Sequence, residues 1–143
     1  MFILQETPID ITIARNHCQD PRNGALVTFE GIVRCDEHKS GMVNALLYIA
    51  KNEECLHEGE KIMREAKSLF PITDALCIQR IGKLNAGETA VWIGVWSAHR
   101  DEGFKASRYI IEEIKKRLLI WKKEFLDNGT STWVRASAAS EIL

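Results

Sequence analysis

The spacing of hydrophobic and polar residues predicts a series of short strands interrupted by two long helices. Residues 25–34 carry the clearest strand pattern, because apolar residues there occupy alternate positions. Further strands are predicted at residues 2–5, 43–50, 74–81, 88–98 and 131–136. The strand at 88–98 is apolar at positions that point to both faces, so we expect it at the centre of a sheet with both faces covered.

The two predicted helices span residues 53–70 and 104–118, and Pro71 ends the first of them. At 100° per residue, one face of the second helix collects five residues, namely Phe104, Ser107, Ile111, Ile114 and Leu118. A turn or a short helix is also expected between Thr7 and Cys18.

The order of these elements predicts an α+β fold with a mixed or antiparallel sheet and two main helices. The charged segment 36–41 is expected to be a loop, so the strands on either side of it are expected to pair as a hairpin. A second loop is predicted at 82–87, and a turn at 127–129. With no repeat or linker in view, residues 1–143 are expected to form a single domain.

Lys115 lies at the edge of the apolar stripe of the second helix, and Lys122 follows seven residues later. A continued helix would place Lys122 on almost the same side, about 10 Å further along the axis. Two interpretations of Lys115 are open. In the first, the aliphatic stem of Lys115 packs on the edge of the core and its ammonium group lies in water. In the second, Lys115 lines a cleft in which burial and nearby cations lower its pKa.

Local charge favours the second interpretation. Seven basic residues lie between residues 105 and 123, against Glu112 and Glu113, although the whole chain has 19 basic and 20 acidic residues. Such a concentration of positive charge is typical of a site that attracts an anion. The near-neutral total argues against nucleic acid as the main partner.

Composition narrows the class of protein further. The first ten residues lack the pattern of a signal peptide, and no segment approaches membrane-spanning length, so we expect a cytoplasmic protein with no membrane partner. The four cysteines form no CxxC pair and are expected to be free thiols. Cys35 with His38, and Cys55 with His57, lack the spacing of a zinc site, so we expect no metal.

Several segments together resemble one known family. They are GALVTFEGIVR at 24–34, VNAL at 43–46, RIGKLNAGE at 80–88, VWIGVWSAHRDEGFKA at 91–106, IKKRLLIWKKE at 114–124 and WV at 133–134. In this order they resemble the catalytic (large) subunit of molybdopterin synthase, the MoaE family. The junction of SAHR with the helix and the segment IWKKE are the most specific of these motifs.

The resemblance implies an α/β-hammerhead fold and a sulfurtransferase of molybdenum cofactor biosynthesis. Such an enzyme converts cyclic pyranopterin monophosphate to molybdopterin by inserting the two sulfurs of the dithiolene. The implied sulfur donor is the thiocarboxylate on the C-terminal Gly-Gly tail of a small ubiquitin-like subunit. The implied assembly is a homodimer of large subunits within a heterotetramer, and no cofactor is implied.

The resemblance also implies roles for individual residues. Lys115 and Lys122 are the implied catalytic residues: Lys115 activates the pterin carbon or removes a proton, and Lys122 holds the tail or the developing negative charge. Substrate-binding roles are implied for Ile32, Val33, Arg34, His99, Arg100, Lys123 and Glu124. Arginines offer forked donors to phosphate oxygens, and a histidine donates to phosphate or shuttles protons.

By residue type alone, three of these residues need not bind substrate. Arg34 is also what a surface position at a strand end commonly carries, and His99 and Arg100 could simply begin the helix. The chain also departs from the family pattern. Leu118-Leu119 stands where a proline is usual, which would let the helix run on and rotate Lys122. Gln79 stands where a histidine is usual, and Ser137 stands where an arginine is usual, although Arg135 is close by. Tyr48 is displaced from the position that a tyrosine usually has after the VNAL motif.

Two other functions are therefore considered. A non-catalytic paralogue would bind the small sulfur carrier, or another anionic ligand, without turnover. A different anion-binding protein would use the basic helix edge for a nucleotide or RNA, which the net charge of −1 supports poorly.

Overall fold

The computed structural model describes residues 1–38 and 41–134, except for the side chain of His38. Within these ranges the elements follow in the order β1 (Phe2–Gln5), α1 (Ile11–Arg15), β2 (Ala25–Ile32), β3 (Glu37–His38), β4 (Gly41–Ala50), α2 (Asn52–Leu69), β5 (Asp74–Arg80), β6 (Gly82–Asn85), β7 (Thr89–Ser97), α3 (Arg100–Arg117), β8 (Ile120–Leu126) and β9 (Ser131–Val134). The α+β class is confirmed, with a short α1 beside the two long helices.

The first sheet has the strand order β1-β5-β7-β2. Only β1 and β5 run parallel; β7 is antiparallel to both of its neighbours. Helices α2 and α3 cover one face, where Ile93 and Val95 of β7 are fully buried. Trp92 and Trp96 face the other side and pack with Ala14 of α1. The prediction that residues 88–98 form a central strand covered on both faces is therefore confirmed.

The second sheet is antiparallel, with the order β3-β4-β8-β9, and β6 also pairs with β4. Two expectations are corrected here. The segment 36–41 is not simply a loop, because Glu37–His38 forms β3 and pairs with Gly41 and Met42. The segment 82–87 is not simply a loop, because Gly82–Asn85 forms β6 and buries Leu84 completely. Ala86 and Gly87 supply the turn, and Gly87 has a φ of 92°, which favours glycine.

The expected hairpin between β2 and β4 is wrong. β2 pairs with β7, from Ala25 opposite Ser97 to Ile32 opposite Thr89, whereas β4 belongs to the second sheet. The register shifts between Gly31 and Ile32, and the chain leaves the first sheet there. Val33 then exchanges backbone hydrogen bonds with the turn before β7, which carries the chain across to the second sheet instead of back along β2.

The buried face of α3 is rotated from the expected one. Gly103, Ala106, Ser107, Ile110 and Ile114 are its buried residues, while Phe104 is 61% exposed. The cause is a close approach at Gly103, where an added Cβ would lie 2.7 Å from Val27 Cγ2. Because β2 comes nearest to α3 at this glycine, the helix turns Gly103 inwards and Phe104 outwards.

Helix α3 ends at Arg117 although no proline follows. Leu118 is extended, with φ −78° and ψ 137°, and is fully buried. The carbonyl oxygen of Leu119 accepts hydrogen bonds from the Lys51 amide at 3.1 Å and the Cys55 thiol at 3.3 Å. These contacts with the start of α2 stop the helix close to its predicted end at residue 118. The continuation that the missing proline would allow does not occur, and Lys122 lies on strand β8.

A cluster of ion pairs joins the end of α3 to α2. Arg117 lies 2.6 Å from carboxylate oxygens of both Glu58 and Glu65 and 3.2 Å from Glu113. Tyr109 donates a hydrogen bond to Glu65. The side chain of Arg117 is only 23% exposed, so solvent screens these charges incompletely. The cluster fixes the last turn of α3, which also carries Lys115.

We expect Arg117→Met to lower the free energy of unfolding by about 2 kcal/mol. The variant leaves the partly buried carboxylates of Glu58 and Glu65 without this cation, and it leaves Glu113 with only its exposed pair to Lys116. Arg108→Met is the matched control, since its pair with Glu112 on the same helix is exposed, and it should cost about 0.5 kcal/mol or less. Urea denaturation of both variants measures the difference.

The same comparison has a pH dependence of known sign. The hydrogen bond from Arg117 holds the pKa of Glu65 below its usual value. A carboxyl group with a depressed folded-state pKa stabilises the protein above its unfolded-state pKa, about 4.3 for glutamate, and loses that contribution as the pH falls. The deficit of Arg117→Met should therefore shrink below about pH 4; an unchanged deficit would contradict this origin.

None of the described helices is both long enough and apolar enough to cross a membrane.

Candidate active site

A cavity of about 280 Å³ opens between the two sheets and the last turns of α3. The end of β2 and the residues that follow it form one wall, with Ile32, Val33 and Arg34. Ile111, Ile114 and Lys115 form another wall, because positions three and four apart lie on the same helix face. The cavity therefore receives Lys115 directly, and the cleft interpretation of this residue is the one that the structure supports.

The floor of the cavity comes from β4 and β8. Tyr48 lies opposite Lys122, and Leu46 lies opposite Glu124. Since successive side chains of a strand point to opposite faces, Lys122 and Glu124 share the cavity face, and Lys123 between them does not. Glu124 is buried, with 6% exposure. The strand thus brings Lys122 to the cavity by a different geometry from the one expected.

Lys115 and Lys122 influence each other electrostatically. Burial, and secondly the positive charge of Lys122, lower the pKa of Lys115 from its usual value. Although Lys115 as a residue is exposed, protein atoms surround its ammonium group closely enough to disfavour the charged form. A lysine in this environment carries a neutral amine at a lower pH than a surface lysine does, which suits it to act as a base or a nucleophile.

The other basic residues near α3 are largely paired with carboxylates. The ion pairs are Lys105 with Asp101 at 2.9 Å, Arg108 with Glu112 at 3.2 Å, Lys116 with Glu113 at 3.5 Å, and Arg117 with the cluster described above. The count of seven basic residues therefore overstated the local excess of charge. What distinguishes Lys115 and Lys122 is that both line the cavity.

Arg34 lies at the mouth of the cavity with its side chain 80% exposed. Its guanidinium is 3.3 Å from the carboxylate of Asp36, which also lines the cavity. An exposed pair of this kind is weak, so an incoming anion can replace Asp36 at little cost. Arg34 is free to turn its forked donors towards a phosphate.

Three expected site residues lie away from this cavity. His99 and Arg100 are exposed at the start of α3, about 22 Å along the helix axis from Lys115. Lys123 points to the opposite face of the second sheet, where its ammonium lies 5.5 Å from the ring centre of Trp133. The structure therefore brings together Ile32, Val33, Arg34, Lys115, Lys122 and Glu124 but not these three. Arg135 and Ser137 lie outside the described residues.

Sequence reasoning did not place Tyr48 or Gln79 in the site, although both line the cavity. Tyr48 faces it because of its register with Lys122, which the sequence does not reveal. The sequence offers only a weak signal for Gln79, which follows directly after the apolar run 75–78 of β5; the structure shows that it is only 6% exposed.

In the part of the chain that the structure describes, no three His, Cys, Asp or Glu side chains are grouped so as to hold a metal ion.

The chain is similar to known proteins in sequence and in fold. Residues 4–117 match the family described as MoaE protein. The molybdopterin synthase catalytic subunit of Thermoplasma volcanium is 42% identical over 126 residues, which cover 88% of this chain and 89% of that protein. The corresponding protein of Pyrococcus abyssi is 43% identical over 106 residues, covering 74% and 71%.

A solved structure extends the similarity to the fold. The crystal structure of molybdopterin synthase from Staphylococcus aureus has a TM-score of 0.86 and 33% sequence identity, and the match covers 93% of this chain and 96% of that one. The family match includes Arg34 and Lys115 of the cavity walls, whereas Lys122 lies beyond its last residue. This chain therefore belongs to the MoaE protein family.

Proposed function

We propose that this chain is the catalytic subunit of a molybdopterin synthase, a sulfurtransferase that converts cyclic pyranopterin monophosphate to molybdopterin. The relatives named for this activity support the proposal across most of the chain. The observation that carries it is the convergence of Lys115, whose pKa is lowered, with Lys122 in one cavity with Arg34 at its mouth.

The cavity residues suit the two substrates. A phosphorylated pterin is an anion, and Arg34 offers it forked hydrogen-bond donors at the entrance. Lys122 supplies a positive charge for the thiocarboxylate of the sulfur donor or for the negative charge that develops during transfer. Lys115 in its neutral form activates the pterin carbon that receives sulfur, or removes a proton during elimination.

The proposed donor is a small ubiquitin-like subunit with a thiocarboxylated C-terminal Gly-Gly tail, and the proposed assembly is a homodimer of this chain within a heterotetramer. The name "catalytic subunit" borne by the relatives implies at least one further subunit. His99 and Arg100 are too far along α3 to reach the cavity of their own chain, so any role for them in binding substrate requires a second copy. We place the reaction in the cytoplasm.

Reconstitution tests this function. The purified chain is mixed with the thiocarboxylated small subunit and cyclic pyranopterin monophosphate, and the dithiolene product is measured by mass spectrometry. We expect product that depends on all three components. A stable complex that forms no product would show a non-catalytic paralogue, and retention of RNA that weakens with salt, without product, would show the alternative anion-binding function.

A further inference from the structure

Gln79 presents an unusual polar group inside the cavity. Its side chain lies on β5, is 6% exposed and lines the cavity wall. The amide nitrogen Nε2 donates hydrogen bonds to two backbone carbonyl oxygens, that of Arg80 at 2.9 Å and that of Ala90 at 3.2 Å. Both amide hydrogens are therefore used within the protein.

These two bonds fix the orientation of the amide. Turning it over would place Oε1 against the same two carbonyl oxygens, which are acceptors only. None of the residues that the structure describes donates a hydrogen bond to Oε1. Oε1 is not among the fully buried polar atoms that lack a partner in the described part of the chain, so it keeps accessible surface. The open space next to Gln79 is the cavity itself, where this oxygen can accept a hydrogen bond from a ligand.

Tyr48 adds a second neutral group to the same cavity. It lies opposite Lys122 on the cavity face of β4, and no described residue hydrogen-bonds to its hydroxyl. Burial raises the pKa of this phenol, so the hydroxyl keeps its proton and its capacity to donate. The cavity thus contains an acceptor of fixed direction and a hydroxyl group, besides its cations.

We propose that Gln79, assisted by Tyr48, recognises the uncharged heterocycle of the substrate by accepting a hydrogen bond at Oε1 from its 2-amino group. This inference rests on the proposed function, since it assumes that the ligand of the cavity is a pterin. The cavity then has two parts. Arg34 and the lysines bind the anionic groups, and Gln79 Oε1 selects a ring that presents a donor over one that presents an acceptor.

The test compares two ligands on the wild-type chain by calorimetry. One is 6-hydroxymethylpterin phosphate, and the other is its lumazine counterpart, in which an oxo group replaces the 2-amino group. We expect the lumazine to bind about tenfold more weakly, because its oxygen faces Oε1 where a donor is needed. Equal affinity for the two ligands would overturn the proposal without any variant being required.

Gln79→Leu provides the second measurement. It should weaken binding of the pterin about tenfold and abolish the preference over lumazine. Competition by inorganic phosphate should be unchanged, since phosphate contacts the cationic part. Thermal unfolding checks that the variant folds, because it also leaves the Arg80 and Ala90 carbonyls without their donor. A preference retained in Gln79→Leu would contradict the proposal.

The two proposals can fail separately. If the chain forms molybdopterin normally but binds pterin and lumazine alike, the role of Gln79 is wrong and the enzymatic function stands. If the chain prefers pterin but forms no product with the thiocarboxylated subunit, the cavity recognises a pterin and the sulfurtransferase function is wrong.

Discussion

Replacing Lys115 with alanine is expected to reduce the rate of sulfur transfer about 1,000-fold or more, within the range that general acid–base or covalent catalysis contributes. The reason is that Lys115 combines a position in the cavity wall with a lowered pKa, and no other described lysine is shown with both properties. The loss should appear in kcat, measured in single-turnover reactions with saturating thiocarboxylated subunit.

Lys116→Ala is the matched control for this variant. Lys116 is the next residue on the same helix, exposed and 3.5 Å from Glu113. Its removal takes away an equal charge without touching the cavity, so the rate should stay close to that of the wild type. Similar losses in both variants would show that the charge of the helix matters and not the position of Lys115. Full activity in Lys115→Ala would remove the residue from the mechanism.

Lys122→Met is expected to lower the rate about 100-fold, because it removes a positive charge that stabilises developing negative charge in an enclosed site. It should also change the pH profile. Lys122 contributes to lowering the pKa of Lys115. Without this cation, the pKa of Lys115 rises towards its usual value.

The direction of the shift follows from the active form of Lys115. If the neutral amine acts, the rate rises as the pH increases through the pKa of Lys115, and in Lys122→Met this rise moves to higher pH. Lys83→Met serves as the control, since Lys83 is exposed on β6 and its ammonium lies 5.1 Å from the ring centre of Phe125. A shift to lower pH in Lys122→Met, or an equal shift in Lys83→Met, would contradict the coupling.

Local sequence patterns predicted most of the individual strands and helices, but they did not predict which strands pair over long distances along the chain. Strand β7 was predicted correctly as central and covered on both faces, because a strand with apolar residues on both faces must bury both of them. The predicted pairing of β2 with β4 was wrong. A short connection favours a hairpin. The crossing to the second sheet, however, depends on backbone hydrogen bonds between Val33 and a turn more than 50 residues later, which the local pattern does not show.

The same limit explains the errors around α3. Periodicity placed Phe104 in the core, but the close contact between Gly103 and Val27 sets the rotation of the helix, and a sequence does not show this contact. The helix ends close to the predicted residue 118 although the family's proline is missing, because tertiary hydrogen bonds to the Leu119 carbonyl stop it there. Lys122 consequently reaches the cavity from a strand.

For the site itself, family resemblance supplied more than charge or periodicity did. The local excess of lysine and arginine indicated α3 as part of the site, but several of these basic residues form ion pairs with glutamate or aspartate. The motifs identified Lys115, Lys122 and Arg34, which the structure brings to one cavity. They also included Lys123, which the alternation of β8 directs to the other face of the sheet.

The central claim is that the cavity between Arg34, Lys115 and Lys122 holds the phosphorylated pterin when sulfur is transferred. A crystal structure of the chain with cyclic pyranopterin monophosphate, in complex with the small subunit, tests it most directly. The account predicts that the ligand occupies this cavity, with an atom of the pterin within hydrogen-bonding distance of Lys115. A ligand bound elsewhere on the chain, with this cavity empty, would contradict it.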